Sequence, residues 1–425
     1  MRKLLALYLL PAILINLGNA FAYLFQLMLA RSLTIADFGA FNALFSLVNV
    51  IAATASIVPF AIARGMILTP GGGARSIVER TSAGGLLVAA LTIVIGVPLV
   101  GPLCAVLKIE QSRTAVLAIT LLATTFFCPI AVGWLQGSGR YVAAAGALAG
   151  LPTLRLAFGL WLVMALAGGI DAALIAAILP GPIIFVAGLA AMRATFRVPR
   201  MRLPSGFWPD LGRFTLSAST SALLLLGFWN LDMVLVRALF PIDQSGLYAV
   251  AAVLARIPLL LSIALVNVLF PEATRAGLAG DHAEHAGRRV LLFNLGLAAS
   301  LAYAAAAVVS LAAEPLLVIL AGLPAAQAAP LLRVLCFAMA TLALVQIIAT
   351  YLMARNRHGV LMLLAAGIIG FVALSGAFAA TPLSVACYLA TIVTVLLAAS
   401  LALVWLAPLR MTRRRGGCLD LPRES

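Results

Sequence analysis

This 425-residue chain predicts an all-α integral membrane fold: 12 transmembrane helices in two parallel six-helix repeats around a central cavity. Three observations carry that prediction. The chain is 64% apolar and 10% charged, with a mean hydropathy of +1.15, whereas a soluble domain is about a quarter charged. The apolar residues come in blocks of about 20, the length that crosses a bilayer as a helix. A short motif occurs after the first block and again after the seventh. This pattern excludes a soluble enzyme, a secreted disulfide scaffold and a nucleic-acid-binding module, despite a net charge of +15. It also excludes an outer-membrane barrel, whose strands alternate polar and apolar residues.

Read between charges and Pro/Gly punctuation, the blocks fall near 7–30, 39–63, 82–106, 115–136, 147–168, 172–192, 215–239, 247–270, 290–313, 331–353, 360–380 and 384–408. The first follows Arg2-Lys3. It runs apolar from Leu4 to Ala30 with no small-x-small exit before Arg31, so it reads as a retained helix rather than a signal peptide. The second ends at Arg64, the third lies before Lys108, and the fourth closes at Gly137-Ser-Gly-Arg140. The fifth is interrupted by Pro152, and the sixth stops at Arg193. The seventh begins just after Arg213 and carries Arg237 at its end, and the eighth leads to Pro271-Glu-Ala-Thr-Arg275. The ninth follows Arg288-Arg289, the tenth ends before Arg355, and the last two flank Thr381-Pro382.

Basic residues set the orientation. With an even number of spans and both ends cytoplasmic, the inside segments hold 21 of the 28 Lys/Arg. The outside loops hold Arg31, Lys108, Arg113 and Arg237, and three arginines lie within spans: Arg155, Arg256 and Arg333. By the positive-inside rule both termini are cytoplasmic, as in a multi-pass protein of a bacterial inner membrane. The chain divides into an N-terminal bundle (1–192), a basic linker (193–213), a C-terminal bundle (214–409) and a basic tail (410–425) that lies against anionic lipid headgroups. Every loop is short. No external catalytic domain and no GxxxxGK[ST] phosphate loop occur, so the expectation is a non-enzyme without a cofactor. The five cysteines show no short-range pairing and read as packing residues or free thiols.

The repeated motif is RSLTIADFGAF (31–41) in the first half and RALFPIDQSGLY (237–248) in the second. Each reads Arg-x-Leu, then an acid, then Gly followed by a small or apolar residue and an aromatic. A weaker echo links Gln136–Arg140 to Ala354–Arg357. Six helices per repeat means both halves face the same way, and in transporters built from repeats the substrate binds near the midplane between them. With NLDMVLVR (230–237), QSGLY (244–248) and LFPEATR (269–275), the chain resembles the polysaccharide transporter family. These are the oligosaccharide-lipid flippases of the multidrug/oligosaccharidyl-lipid/polysaccharide exporter superfamily. The resemblance implies a V-shaped pair of six-helix bundles. Its implied cargo is a polyprenyl-diphosphate-linked saccharide moved from the cytoplasmic to the periplasmic leaflet, in O-antigen (lipopolysaccharide) or exopolysaccharide synthesis. Other polysaccharide-assembly membrane proteins are further expected partners.

Polar residues inside the spans are the candidate site. Asn16, Asn19, Tyr23 and Gln26 fall on one face of the first helix, about 80° wide at about 100° per residue. Asn42, Ser46, Asn49 and Ser56 form a stripe on the second, continued by Arg64. Such stripes either line a cavity, where they suit sugar hydroxyls, or bond helix to helix. Asp232 is the acid deepest in a span, continuing a face with Ser217 and Ser221. It reads either as a proton- or cation-coupling site or as a structural partner. Arg155, Arg256 and Arg333 each cost about 2.5–3.5 kcal/mol at a helix centre on insertion scales, so they avoid lipid. Arg256, just before Pro258, is the candidate fork for a diphosphate, with a salt bridge to Asp232 as the alternative. Arg155 and Arg333 join the substrate-contact candidates, with snorkelling to the two surfaces as their structural reading. Arg31 and Arg237, at repeat-equivalent helix ends, read as anchors or caps. Asp281-His282-Ala-Glu284-His285 has two His three apart, but it reads as a solvated amphipathic segment rather than a metal site. His358 has no identifiable partner.

Three intramembrane arginines against one buried acid favour an anionic cargo, hence the flippase. A cation-coupled multidrug exporter of the same superfamily would favour an acidic cavity. A non-transporting membrane assembly partner gains little from buried charge.

Overall fold

The structure, a computed structural model, describes residues 2–69, 73–193, 195, 206–262, 282–322, 325–354 and 359–406. Among them there is no strand, and twelve helices are long and apolar enough to cross a membrane. They are α1 (Arg2–Ser32), α2 (Ile35–Leu68), α3 (Gly73–Leu107), α4 (Ser112–Gly137), α5 (Tyr141–Ala165) and α6 (Gly169–Ala191), then α7 (Phe207–Leu239), α8 (Ile242–Ser262), α9 (His282–Leu311), α10 (Ala325–Ala354), α11 (Gly359–Phe378) and α12 (Pro382–Leu406). Each overlaps one expected block. Several run further than their block, because hydropathy marks the hydrocarbon slab while the helix continues through interfacial residues. A short helix, Ala313–Ala321, follows α9 and is too short to have been read as a span. The tail 410–425, Pro271–Arg275, Arg355–His358 and most of the linker 193–213 lie outside the described residues, as do the side chains of Asp281–His285 and Ser217.

Two interruptions differ from the sequence reading. Pro152 does not break α5, which runs on to a π turn at Leu160–Ala165. Neighbouring helices compensate for a proline inside a span; here α5 is pressed against α1, where a Cβ on Gly18 would come within 2.8 Å of Ala149 Cα. Conversely, α8 loses its regular hydrogen bonding at Arg256, whose N–H reaches back only to the Val253 carbonyl at 3.3 Å. Pro258, two residues on, has no N–H to give, and a proline ring crowds the carbonyl four residues earlier.

The first half packs α1 on α5 and the Val58–Leu68 segment of α2 on α4, around Ile77, Trp134 and Phe185. In the second half α10 is the central helix, flanked by α8, α9 and α12. A larger apolar core joins the two: Phe38, Phe41 and Leu44 of α2 meet Phe228 and Val236 of α7 and Tyr248 of α8.

The repeat meets itself at this junction. A Cβ on Gly39 would lie 2.8 Å from Gly246 Cα, and one on Gly246 would strike the Ile35 carbonyl. These are the glycines of DFGAF and QSGLY, one from each half. The same end of the bundle carries a two-fold set of arginine contacts. Arg31, ending α1, donates to the carbonyl of Ile319 in the short helix after α9. Arg237, ending α7, donates to the carbonyls of Leu107 (2.8 Å) and Lys108 (3.2 Å) after α3, and to Ala36 (3.4 Å). Each first-helix arginine therefore caps the end of the third helical segment in the opposite half, where helix carbonyls have no intrahelical partner. Lys108 Nζ completes the set by donating to the Phe240 carbonyl at 2.6 Å. We call this the loop end, and the opposite end, from which α1 and α7 start, the terminal end.

Candidate functional site

Arg256 sits where α8 is interrupted, and the interruption turns its guanidinium toward α7. One terminal nitrogen donates to the Trp229 carbonyl at 2.6 Å and lies 3.6 Å from the sulfur of Met233. That sulfur also accepts from Ser46 Oγ of α2 at 3.2 Å, which ties the cluster to the first half. The Nε of Arg256 is buried with no hydrogen-bond partner. A guanidinium has five donors in a planar fork, so most of this one's capacity is unused.

Asp232 is fully buried one helical turn from Trp229. It forms no ion pair with Arg256. Its Oδ2 accepts from the Tyr248 hydroxyl at 3.0 Å, and its Oδ1 has no partner. Arg256 is nonetheless within electrostatic range of it. The alternative reading of Arg256, a salt bridge to Asp232, is not formed: the backbone carbonyl of Trp229 takes the guanidinium and the tyrosine takes the carboxylate. Among the described residues, no group of three or more His, Cys, Asp or Glu stands close enough to hold a metal ion.

The α1 stripe divides along its length. Tyr23 lies within electrostatic range of Arg256 and Cys336 of the second half, and its hydroxyl is buried without a partner, as is Oε1 of Gln26. Asn16 and Asn19, nearer the terminal end, are exposed. The α2 stripe divides differently. Asn42 is buried and donates to the Phe38 carbonyl of its own helix at 3.0 Å, Asn49 is partly buried, and Ser46 reaches Met233. Asn42 therefore satisfies itself rather than facing a cavity. Of the serines set beside Asp232 by periodicity, Ser221 is partly buried. It is Ser219 that crosses to the first half, donating to the Thr54 carbonyl at 3.3 Å.

The other arginines separate from this cluster. Arg333 is about half exposed and pairs with Glu314 at 3.3 Å while donating to the Ser310 carbonyl. Arg155 lies inside the first half, its guanidinium carbon 5.1 Å from the centre of the Phe45 ring, with Nε buried and unpartnered. Arg237 is 3% exposed and fully engaged at the loop end. Tyr248, Trp229 and Met233 belong to the site but were not singled out. A tyrosine within QSGLY reads as part of a repeat, and a backbone carbonyl or thioether carries no sequence signal.

No family model matches the chain, and no curated protein does. Solved structures do. Lipid II flippase MurJ in an inward closed conformation superposes with a TM-score of 0.70 at 11% identity, over 93% of this chain and 87% of that one. A multidrug resistance MATE family transporter of the MOP superfamily, in its inward-facing conformation, gives 0.70 at 14% identity over 92% and 94%. An outward-facing conformation of a multidrug resistance MATE family transporter of the MOP superfamily gives 0.58 at 16% identity over 94% of each chain. The twelve helices of this chain have the fold of the MOP superfamily, the superfamily its short motifs resemble.

Proposed function

We propose that this protein is a MOP-fold transporter that flips a polyprenyl-diphosphate-linked oligosaccharide from the cytoplasmic to the periplasmic leaflet of a bacterial inner membrane, for surface polysaccharide synthesis. Arg256 carries the reading: a mid-membrane guanidinium at the junction of the halves, with no carboxylate in contact among the described residues and a buried unused Nε. A planar fork matches phosphate oxygens bidentately, and such charge-assisted bonds are about twice as strong as neutral ones. The Tyr23 hydroxyl and Gln26 Oε1 on α1 are buried without a partner, and such groups suit sugar hydroxyls. With both termini cytoplasmic, the loop end is periplasmic and held shut by Arg31, Arg237 and Lys108. The first half's α1, packed on α5 and bearing exposed Asn16 and Asn19, borders the way in from the terminal end. Transport then requires the loop-end contacts to break as the halves rock. The printed name of one fold neighbour, a lipid II flippase, is in keeping with this cargo class.

One observation favours a second reading, a cation-coupled multidrug exporter: the unpartnered Oδ1 of buried Asp232, in a fold shared with MATE transporters. Mass spectrometry of polyprenol-linked lipids in a deletion strain separates the two. Accumulation of a lipid-diphosphate oligosaccharide, with rescue by the wild-type chain but not by Arg256→Ala at equal protein level, is the expected result. An unchanged lipid pool with sensitivity to cationic drugs would overturn it in favour of the exporter.

A further inference from the structure

The first half contains a cation with no counter-charge among the described residues. Arg155 is the fifteenth residue of a 25-residue span, far from either end of α5, and it points inward at Phe45 of α2 rather than along the helix toward an interface. Its depth follows from the packing of α5 on α1. Three residues before it Pro152 lies against Gly18, and four residues after it Gly159 lies against Phe25 and Met28. That places Arg155 at the level of Tyr23, in mid-membrane, so snorkelling to the inner surface does not describe it.

The four acids of the first half do not reach it. Asp37 accepts from Thr34 at the start of α2, Glu79 pairs with Arg75 at 2.9 Å, and Asp171 holds Arg113 at 2.6 Å and Thr114 at the loop end. Glu110 stands in the α3–α4 connection. The guanidinium makes no hydrogen bond with any described residue. Its neighbours are the Phe45 ring and Cys128 of α4. Arg155 is partly buried, with its Nε closed off from any partner. Stacking on an aromatic face gives a cation about 0.5–2 kcal/mol, below the cost of withdrawing a charge from water without a partner, which is why such charges are paired or bind ions. Arg256, by contrast, has Asp232 within electrostatic range.

We propose that Arg155 is a second anion-binding site, separate from Arg256 and inside the N-terminal bundle, whose ligand is a phosphoryl oxyanion. Planar, bidentate donors and an unused Nε fit phosphate oxygens. Such a group has two sources, the diphosphate of a carried lipid or the headgroup of a bilayer phospholipid, and both present the same chemistry to the guanidinium. The site goes beyond the Arg256 reading and stands or falls separately from it.

The test uses the full-length chain in phosphatidylcholine nanodiscs, titrated with inorganic pyrophosphate and with farnesyl diphosphate, and read by calorimetry and native mass spectrometry. Two equivalents of diphosphate are expected for wild type, one for Arg155→Gln and one for Arg256→Gln. The site lost in each variant weakens at least about tenfold, as one charge-assisted hydrogen bond implies. Phosphatidylglycerol that copurifies with wild type, resists exchange and is lost in Arg155→Gln assigns the site to a bilayer lipid instead of a carried one. Loss of the second equivalent only in Arg256→Gln counts against Arg155 while leaving the cargo reading intact. The ligand-free melting temperature supplies an independent readout. Arg155→Met removes a partly buried charge without a counter-charge and is expected to hold or raise it, whereas Arg155→Lys keeps the charge and loses the fork. The proposal is overturned if Arg155→Gln binds both ligands and phosphatidylglycerol as wild type does. A fall in ligand-free melting temperature in Arg155→Met also overturns it, since that would reveal a structural partner.

Discussion

The arginines at the loop end and those in mid-membrane are the same residue type put to opposite uses. Arg237 is almost wholly buried, yet its guanidinium donates to carbonyls of three residues in the opposite half and to Ser245 Oγ. Arg31 does the same more openly with Ile319. Arg256 and Arg155 are also held inside the bundle, but one makes a single carbonyl contact and the other none, and both leave Nε unpartnered. Helix ends supply orphan carbonyls that satisfy a guanidinium at no cost to the fold. Mid-span carbonyls already accept within their own helix and satisfy little of an arginine there: Arg256 gains one such bond, to Trp229, and Arg155 gains none. Satisfied arginines close the loop end, and the unsatisfied ones are where we propose that an anion is received.

Substitutions can break that contrast, beginning with the largest expected effect. Arg256→Gln is expected to lower flipping of lipid-diphosphate by about 10- to 100-fold, corresponding to a lost charged hydrogen bond of about 1.5–3 kcal/mol. The melting temperature should stay near wild type, measured on the same preparation, and a large fall in stability would class Arg256 with Arg237. Arg237→Met should do the reverse. Leaving several buried acceptors without a donor costs about 2–4 kcal/mol, seen as a lowered unfolding temperature and as labelling of an Ala40→Cys reporter buried at the junction. Equal labelling with and without Arg237 would show that it does not hold the loop end. Arg31→Met, at an exposed contact, should cost about 1 kcal/mol or less.

Gly246→Ala sharpens the comparison from the backbone side. The added methyl meets the Ile35 carbonyl, and overpacking of this kind costs about 1–3 kcal/mol. Cross-linking between engineered cysteines on α2 and α8 should then show the halves parted at the loop end. Unchanged cross-linking would mean that the crossing tolerates a side chain. The smallest effect is expected within the polar stripes. Asn42→Leu should change stability and transport little, about 1 kcal/mol or less, because its amide bonds only to its own helix. A maleimide reagent should label Asn16→Cys and Asn19→Cys much faster than Asn42→Cys, and equal rates would remove the distinction drawn between the two stripes.

The sequence by itself determined the twelve spans, their order and the existence of the repeat. Bilayer thickness makes a helix of about 20 apolar residues the unit of the fold, and local composition records it. It also marked Arg256 and Asp232 as costly, since a charge inside an apolar run is visible without any neighbour. Tertiary structure decided who meets whom. Asp232 bonds Tyr248 and not Arg256, Asn42 turns back on its own helix, and Arg333 joins Glu314 at the periphery. Arg155 changed most: in the sequence it is one of three similar intramembrane arginines, and only helix packing shows that the acids nearest in the chain are committed elsewhere. Periodicity gives the angle at which a side chain leaves its helix. Whether that direction ends at a carbonyl, a carboxylate or a space for a ligand depends on helices hundreds of residues away, as Arg31 and Ile319 show.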